Sequence, residues 1–508
     1  MKPVLNDVKN TKLLLIRAHS CLERFYFPGY LHEPFGILSL ATFLKPFCNV
    51  KVIDSMAEGW NHYWEKKDNP KIIYRGLKPE RLFKMIEKFK PDVVGITWFY
   101  SLEEDCIRET VKFVKKRFPG VKIIVGGPEP SSDPKGSLEK NPEVDIAVFG
   151  EGELTFKELI LGNFQNLDKV LGIAYRQGDK ILINQPRLRI RDFNSLPLLD
   201  RDLIPFANYS KQYFFNFIIS RLAKLKLPFK ANLFLAFQLS RIPVHELFYL
   251  MYNRKYDREK LLRKKMLPEA DIQSTRGCPN NCAFCSLHTV WGHQWAGRSA
   301  ESVLDEIDVL VKKYGVRHIN FWDENFNLLK ERAIAICRGI VERNYKISID
   351  VQAGLYIPTL DEEVLQWFKK AGANEVRFSI ESGNQEVLDK VIKKRINLKT
   401  VKPIIDICKK LKIRTEGAFI FGAPGQTIAA MEDNLKFAEE CGFDRVIRFV
   451  YQPFPNTELY RICEEKGYLT EDYNPKELYL TGSKSFVKTE DFTPEDVLRI
   501  ARKDIKKK

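Results

Sequence analysis

Short apolar runs rich in β-branched residues recur in two series along this 508-residue chain, separated by charged segments of helical period. The first series lies at 12–17, 50–54, 92–97, 121–125 and 144–149, with helices expected at 36–44, 80–90 and 103–117. The second lies at 271–275, 318–322, 347–352, 375–380, 415–421 and 445–451, with amphipathic stretches such as 301–314, 331–343, 361–370 and 431–440 between them. A strand apolar along its whole length is buried on both faces, and intervening helices supply the cover of a parallel sheet. The chain is therefore expected to be α/β, with two separate parallel assemblies. The first reads as a doubly wound, Rossmann-like domain whose ligand crevice lies at the carboxyl ends of its strands. A hairpin at 172–183, turning at Gly178 and Asp179, is expected to close it. The second series, of six βα units, suits a partial TIM-type barrel, (βα)6, whose loops meet at the carboxyl-end face. The divisions expected are 1–195, a linker at 196–269, the barrel at 270–465 and an extension at 466–508.

Chemistry-bearing residues gather at the expected strand ends. Cys278, Cys282 and Cys285 follow the first strand of the second series, in the run Arg276-Gly-Cys-Pro-Asn-Asn-Cys-Ala-Phe-Cys-Ser286. Three thiolates on one short loop can hold three irons of a four-iron cluster and leave the fourth open to a small molecule, to which it can pass an electron. Zinc is the other reading, with His288 or His293 completing a Cys3His set, although the gap of three residues suits it poorly. The seven remaining cysteines are scattered singly, as buried free thiols are in a reducing compartment. In the first series, Gly126-Gly127-Pro128 and Gly150-Glu151-Gly152 follow the last two strands. Glycine there lets backbone approach a ligand closely, and ordinary tight turns would read the same way.

The spacing C-x3-C-x2-C, with Phe284 before the last cysteine, resembles the signature of radical S-adenosylmethionine (SAM) enzymes. Three later segments extend the resemblance over about 270–460. The run Phe321-Trp-Asp-Glu-Asn-Phe326 resembles the family's acidic pair near the methionyl end of SAM, here Asp323 and Glu324. The run Val376-Arg-Phe-Ser-Ile-Glu-Ser-Gly383 resembles the ribose-contacting segment, which implies hydrogen bonds from SAM to Glu381 and Ser382 beside Gly383. The run from Gly417 to Thr427 resembles the adenine-side loop, with Gly422 against the cofactor. The resemblance implies one 4Fe-4S cluster on Cys278, Cys282 and Cys285, with SAM bound at its free iron. Reductive cleavage of SAM would then give a 5′-deoxyadenosyl radical, which takes hydrogen from an unactivated carbon.

Pro34-Phe-Gly-Ile-Leu-Ser-Leu-Ala41, Gly126-Gly-Pro128 and the run from Val144 to Phe156 resemble the cobalamin-binding domain that precedes many radical SAM domains. The resemblance covers most of 12–162 and implies cobalamin held near Gly36, Gly126, Gly127, Gly150, Glu151 and Gly152. Domains that ligate cobalt from below carry Asp-x-His-x-x-Gly, and none of the seven histidines has that setting. Cobalamin is therefore expected to bind without a protein imidazole. Such an architecture implies C-methylation first, and ring closure or carbon–carbon coupling second. A methylthiotransferase would need a second cluster on Cys21, Cys48 and Cys106, and a non-catalytic metal-binding protein is the remaining alternative.

The net charge of +16 is unevenly spread: 211–265 carries 13 Lys and Arg against three acids, a net +10. That segment is also aromatic and is cut by Pro228 and Pro243, as suits short helices at an anionic lipid surface. An insertion packed on the barrel with solvated lysines is the competing reading. Its aromatics cluster with aliphatics rather than alternating with basic residues as base-stacking platforms, so nucleic acid is not expected. From these features follow the expectations of an apolar or lipid substrate and a peripheral membrane contact through 212–265. The chemistry adds a reductase or ferredoxin-type electron donor, and the free thiols a cytoplasmic location.

Overall fold

The computed structural model describes residues 8–23, 31–66, 69–212, 268–351, 353–478 and 484–504, with 231, 235 and 238 as isolated positions. The basic segment 212–265 thus lies outside the described residues, apart from Gln212 and those three positions. The chain divides into two compact units, Met1–Ile190 with Leu196–Ala270, and Arg191–Ser195 with Asp271–Lys508.

The described strands of the first unit are β1 (Lys12–Arg17), β2 (Ser20–Glu23), β3 (Asn49–Asp54), β4 (Tyr63–Lys66), β5 (Asn69–Arg75), β6 (Val93–Thr97), β7 (Lys122–Gly126), β8 (Ile146–Val148), β9 (Ile173–Gln177) and β10 (Lys180–Ile183). Five of them pair in parallel in the order β3-β1-β6-β7-β8, and the antiparallel hairpin β9–β10 extends the sheet. Leucine, isoleucine and valine fill the central strands because helices cover both faces. Helices Phe35–Leu44 and Glu153–Leu161 pack together, and so do Pro79–Phe89 and Glu104–Arg117, where Phe83 stacks on Phe113 at 3.8 Å. The chain passes from β1 to β3 on one side and later crosses back to β6 on the other side of β1. This reversal opens a crevice outside the carboxyl ends of β1 and β6, beside the glycines that end β7.

A second sheet, β2-β5-β4, was not foreseen; it is antiparallel and follows the carboxyl end of β1. It encloses His19, whose ring lies 5.6 Å from Trp64 and 5.8 Å from Tyr74. Burial holds the His19 pKa down at about 4, and Glu109, 3.8 Å from Nε2, is half exposed and compensates little. The unfolded chain takes up this proton near pH 6.5, the folded chain only near 4. Stability is therefore full above 6.5 and falls on acidification through that window, by about 3 kcal/mol at most. Urea unfolding at pH 7 and at about pH 4.5 measures the loss, and His19→Phe should remove this part of it.

The start of the expected linker closes onto the first unit instead. Arg201 and Glu33 form a fully buried ion pair at 2.6 Å, the Tyr209 hydroxyl donates to Asp54 at the end of β3, and Gln212 donates to Tyr63.

The second unit contains β11 (Glu269–Ile272, its first two residues counted with the first unit), β12 (Thr275–Arg276), β13 (Ala296–Gly297), β14 (His318–Phe321), β15 (Ser348–Val351), β16 (Glu375–Glu381), β17 (Arg414–Phe421) and β18 (Arg445–Val450). The sheets β11-β14-β15 and β16-β17-β18 meet through a parallel bridge from Ile349 to Ala373, so six strands follow one another in series. Helices Ala300–Lys313, Lys330–Glu342, Glu362–Lys370, Val401–Lys410 and Ile428–Cys441 intervene, as the periodicity predicts. The extension is part of this unit: helix Pro494–Ala501 packs on helix Ile428–Cys441 and on β18. Residues 191–195 also join it, with Arg276 held between the rings of Phe193 at 4.6 Å and Trp291 at 5.0 Å. No helix among the described residues is long and apolar enough to cross a membrane.

Candidate active site

The cysteine loop leaves the barrel at the carboxyl end of β11, through the two-residue pair β12–β13. Its middle is clamped by backbone: the Ala283 N–H donates to Ile392 at 2.9 Å and the Ala283 carbonyl accepts from Leu459 at 3.0 Å. Asn280 donates to Cys278 Sγ at 3.5 Å, and the half-buried Cys278, Cys282 and Cys285 are free thiols. Burial pushes Cys282 up to about 12, against the pull of Lys394, and Cys285 up to about 11. Protonated in the bare loop, these thiols are deprotonated only by bound metal.

Beside them stands Glu381, which ends β16 at φ +74 and pairs with Lys394 at 2.8 Å. Burial works against the Lys394 charge, yet Glu381 and then Cys282 hold its ammonium above the ordinary range. The pair offers one acceptor and one donor group next to the cysteines, the complement of an α-amino acid's ammonium and carboxylate. Lys394 was missed in the sequence, where it is one of three consecutive basic residues, Lys393 to Arg395.

His288 and His293 stack on one another at 3.9 Å, and His288 Nδ1 lies 3.3 Å from the Gly292 carbonyl. Of the second-cluster cysteines, Cys21 and Cys106 meet side chain to side chain, but Cys48 lies apart from them. Cys48 precedes the amino end of β3, whereas Cys21 lies past the carboxyl end of β1, and the two strands are parallel.

Several residues expected to touch SAM also brace the protein. Asp323 is fully buried and accepts from the N–H groups of Ser274 and Thr275 and from the Ser274 hydroxyl. Ser382, also fully buried, donates to Asn434 at 3.0 Å and accepts from the Asn384 N–H. A methyl group on Gly383 would meet the Asp433 carbonyl at 2.5 Å, so this glycine admits helix Ile428–Cys441. Gly422, at φ +80, makes room in the same way for Val497 of the extension. Asn434 was missed, although a polar residue between Met431 and Leu435 on a buried helix face was its signal. Phe284, within the loop, and Glu324, just past β14, are half-buried.

At the crevice of the first unit the glycines differ in kind. A Cβ on Gly36 or Gly150 would meet nothing within 4 Å, whereas on Gly127 (φ +111) it would meet the Trp98 carbonyl at 2.8 Å. Gly126 and Gly152 allow ordinary contacts, at 3.6 and 3.8 Å. Glu151 accepts from the Ile190 N–H at 2.7 Å and so holds the chain there. Gly36 and Gly150 thus have open space beside their backbone, and His19 is buried.

The Radical SAM superfamily model matches residues 272–438, and the B12 binding domain model matches 28–160. An uncharacterized methyltransferase of Pyrococcus horikoshii is 28% identical over 98% of this chain and 92% of its own length. The cytidylyl-2-hydroxyethylphosphonate methyltransferase of Streptomyces wedmorensis is 28% identical over 90% of this chain and 82% of its own. Among solved structures, the radical SAM methyltransferase TsrM of Kitasatospora setae, with cobalamin and a 4Fe-4S cluster bound, superposes with a TM-score of 0.63. It shares 17% identity over 91% of this chain and 79% of that one.

Proposed function

The chain belongs to the radical SAM enzymes that carry an amino-terminal cobalamin-binding domain, and on that premise we propose that it methylates a carbon of its substrate. Its cofactors are one 4Fe-4S cluster, SAM and cobalamin. When bound, they supply the electron that cleaves SAM and the methyl group that is transferred. The carrying observation is the loop of three free thiols at the carboxyl end of the first barrel strand, beside the Glu381–Lys394 pair. Cys278, Cys282 and Cys285 would hold the cluster, and Glu381 and Lys394 would orient the amino-acid end of SAM. The crevice around Gly36, Gly127 and Gly150 would hold cobalamin.

Methylation is favoured over ring closure because two relatives matched over at least nine-tenths of this chain are methyltransferases. An electron donor of reductase or ferredoxin type completes the reading. The apolar or lipid substrate expected from 212–265 rested on residues outside those described.

Anaerobic reconstitution with iron, sulfide and cobalamin tests this reading. About four irons per chain, a bound cobalamin spectrum and reductive SAM cleavage are expected. Two clusters, or iron without SAM cleavage, would overturn it. Gly36→Ala is a sharper probe of the first unit. In the open first turn of helix Phe35–Leu44 the substitution should raise stability by up to about 1 kcal/mol. By filling that open space it should also lower cobalamin retention, read from absorbance beside thermal unfolding. Full retention would sink the placement.

A further inference from the structure

Two thiols of the first unit meet, and the proposed reaction uses neither. Cys21 lies on β2, an edge of the small sheet β2-β5-β4, opposite Tyr74 of β5. Cys106 lies in the first turn of helix Glu104–Arg117, which follows β6. The Cys21 thiol donates to the Leu102 carbonyl at 3.0 Å, just before that helix, and its sulfur is within hydrogen-bond reach of the Cys106 thiol. Both are free cysteines.

The surroundings hold the two sulfurs as neighbours. Ser20, beside Cys21, donates to Glu103 at 2.8 Å, and Glu103 also accepts from the Phe99 N–H at 3.1 Å. Lys66 of β4 pairs with Asp105, beside Cys106, at 3.1 Å. These bonds draw the small sheet onto the start of the helix. Cysteines that only pack have apolar neighbours, whereas these two interact with Tyr74, which also feels Lys66 and Asp105.

The two thiols are not equivalent. Cys21 is half-buried and Cys106 fully buried. The Lys66 ammonium is close enough to interact with Cys21. Attack therefore starts at Cys21, the thiol that solvent reaches beside a cation. Its neighbour Cys21, and then burial, hold the Cys106 thiol well above the ordinary range, which makes it the second to react.

We propose that Cys21 and Cys106 are a redox-responsive dithiol, which a low-molecular-weight disulfide converts into an intrachain disulfide that fastens β2 to the helix after β6. The Cys21 sulfur attacks the reagent R–S–S–R, one R–SH leaves, and a mixed disulfide forms on Cys21. The Cys106 sulfur then attacks the Cys21 sulfur, and the second R–SH leaves. The protein loses two electrons and two protons, and the reagent gains both. Because the sulfurs are neighbours, the second step is intramolecular and the mixed disulfide does not persist. In a reducing compartment such a bond is transient, which suits it to signal oxidation rather than to hold the fold. Residues 98–103 run from the Trp98 carbonyl beside Gly127 to Leu102 at Cys21, so the bond tethers a loop of the crevice itself.

The test treats the anaerobically reconstituted holoenzyme with glutathione disulfide, alkylates the remaining thiols under denaturing conditions and maps the peptides without reduction. A peptide pair joined through Cys21 and Cys106 is expected, absent from untreated enzyme and lost again after dithiothreitol. In Cys106→Ala, glutathione should stay on Cys21. In Cys21→Ala, Cys106 should be recovered as an alkylated thiol. Mapping by residue keeps Cys278, Cys282 and Cys285 out of the result, whether or not they hold a cluster. Recovery of Cys21 and Cys106 from treated wild-type enzyme as alkylated thiols overturns the proposal, and so does a link from either to another cysteine alone. The wild-type map decides the matter even where a variant fails to fold.

Discussion

Cys282→Ala is expected to lose its bound iron and all detectable reductive SAM cleavage. The loss should exceed the roughly 10–100-fold typical when a residue that only supports a metal ligand is removed. Cys282 sits one residue before Ala283, whose two backbone hydrogen bonds clamp the loop, so its sulfur has little freedom that a neighbour could replace. It is also the thiol that burial raises furthest of the two shifted ones, to about 12. A free thiol there is inert, and only bound metal keeps it ionised. Iron content, visible absorbance and 5′-deoxyadenosine formation read the outcome. Cobalamin bound to the first unit supplies the internal control, since its crevice contains none of the three cysteines, and its spectrum should survive. Wild-type SAM cleavage by the variant would dismiss the assignment of this loop.

The architecture was legible because burial on both faces forces it into composition. Runs such as Lys12-Leu-Leu-Leu-Ile-Arg17 and Val93-Val-Gly-Ile-Thr97 admit little but a central parallel strand, and both families of βα units followed. The small sheet β2-β5-β4 escaped because β2 and β4 are only four residues long and the apolar stretch of β5 is only Ile72-Ile73-Tyr74. In Tyr63-Trp-Glu-Lys66 only Tyr63 is fully buried, so no apolar run announces it. The cysteine loop was readable since metal chemistry constrains spacing in sequence directly.

The bracing roles of the SAM-side residues were not, for a different reason. A glycine or a carboxylate at a strand end can face a ligand or another part of the chain, and its neighbours in sequence do not decide which. Gly383 and Gly422 are small because helices Ile428–Cys441 and Pro494–Ala501 lie against them, 45 and more residues later. The meeting of Cys21 and Cys106 was hidden in the same way. Each reads as a single scattered thiol, and only the fold brings β2 against the start of the helix that carries Cys106.

Asp323→Ala separates a ligand from a brace. The acidic run around it suggests contact with SAM, and that reading predicts normal stability, normal iron and weaker SAM binding. The structure predicts otherwise. Asp323 takes the N–H of Thr275 at 2.9 Å, together with the N–H and hydroxyl of Ser274, at the turn from β11 into the cysteine loop. Arg332 holds the same turn, donating to the Ser274 hydroxyl at 2.7 Å and to the Ser274 carbonyl at 3.1 Å. Burial pushes the Asp323 carboxyl up, opposed by Arg332, and pushes the Arg332 guanidinium down to about 10, opposed by Asp323. Each therefore depends on the other to stay charged inside the barrel. Alanine would strand three donors and a buried guanidinium, and breaking a buried charge pair costs about 3–5 kcal/mol. Urea unfolding should show that loss, and reconstitution should yield less iron because the strand that aims the loop has come free. Asp323→Asn retains one carbonyl oxygen for the two N–H groups and should lose only part of both. Native stability and iron content in Asp323→Ala, with SAM binding alone weakened, would return the residue to the cofactor.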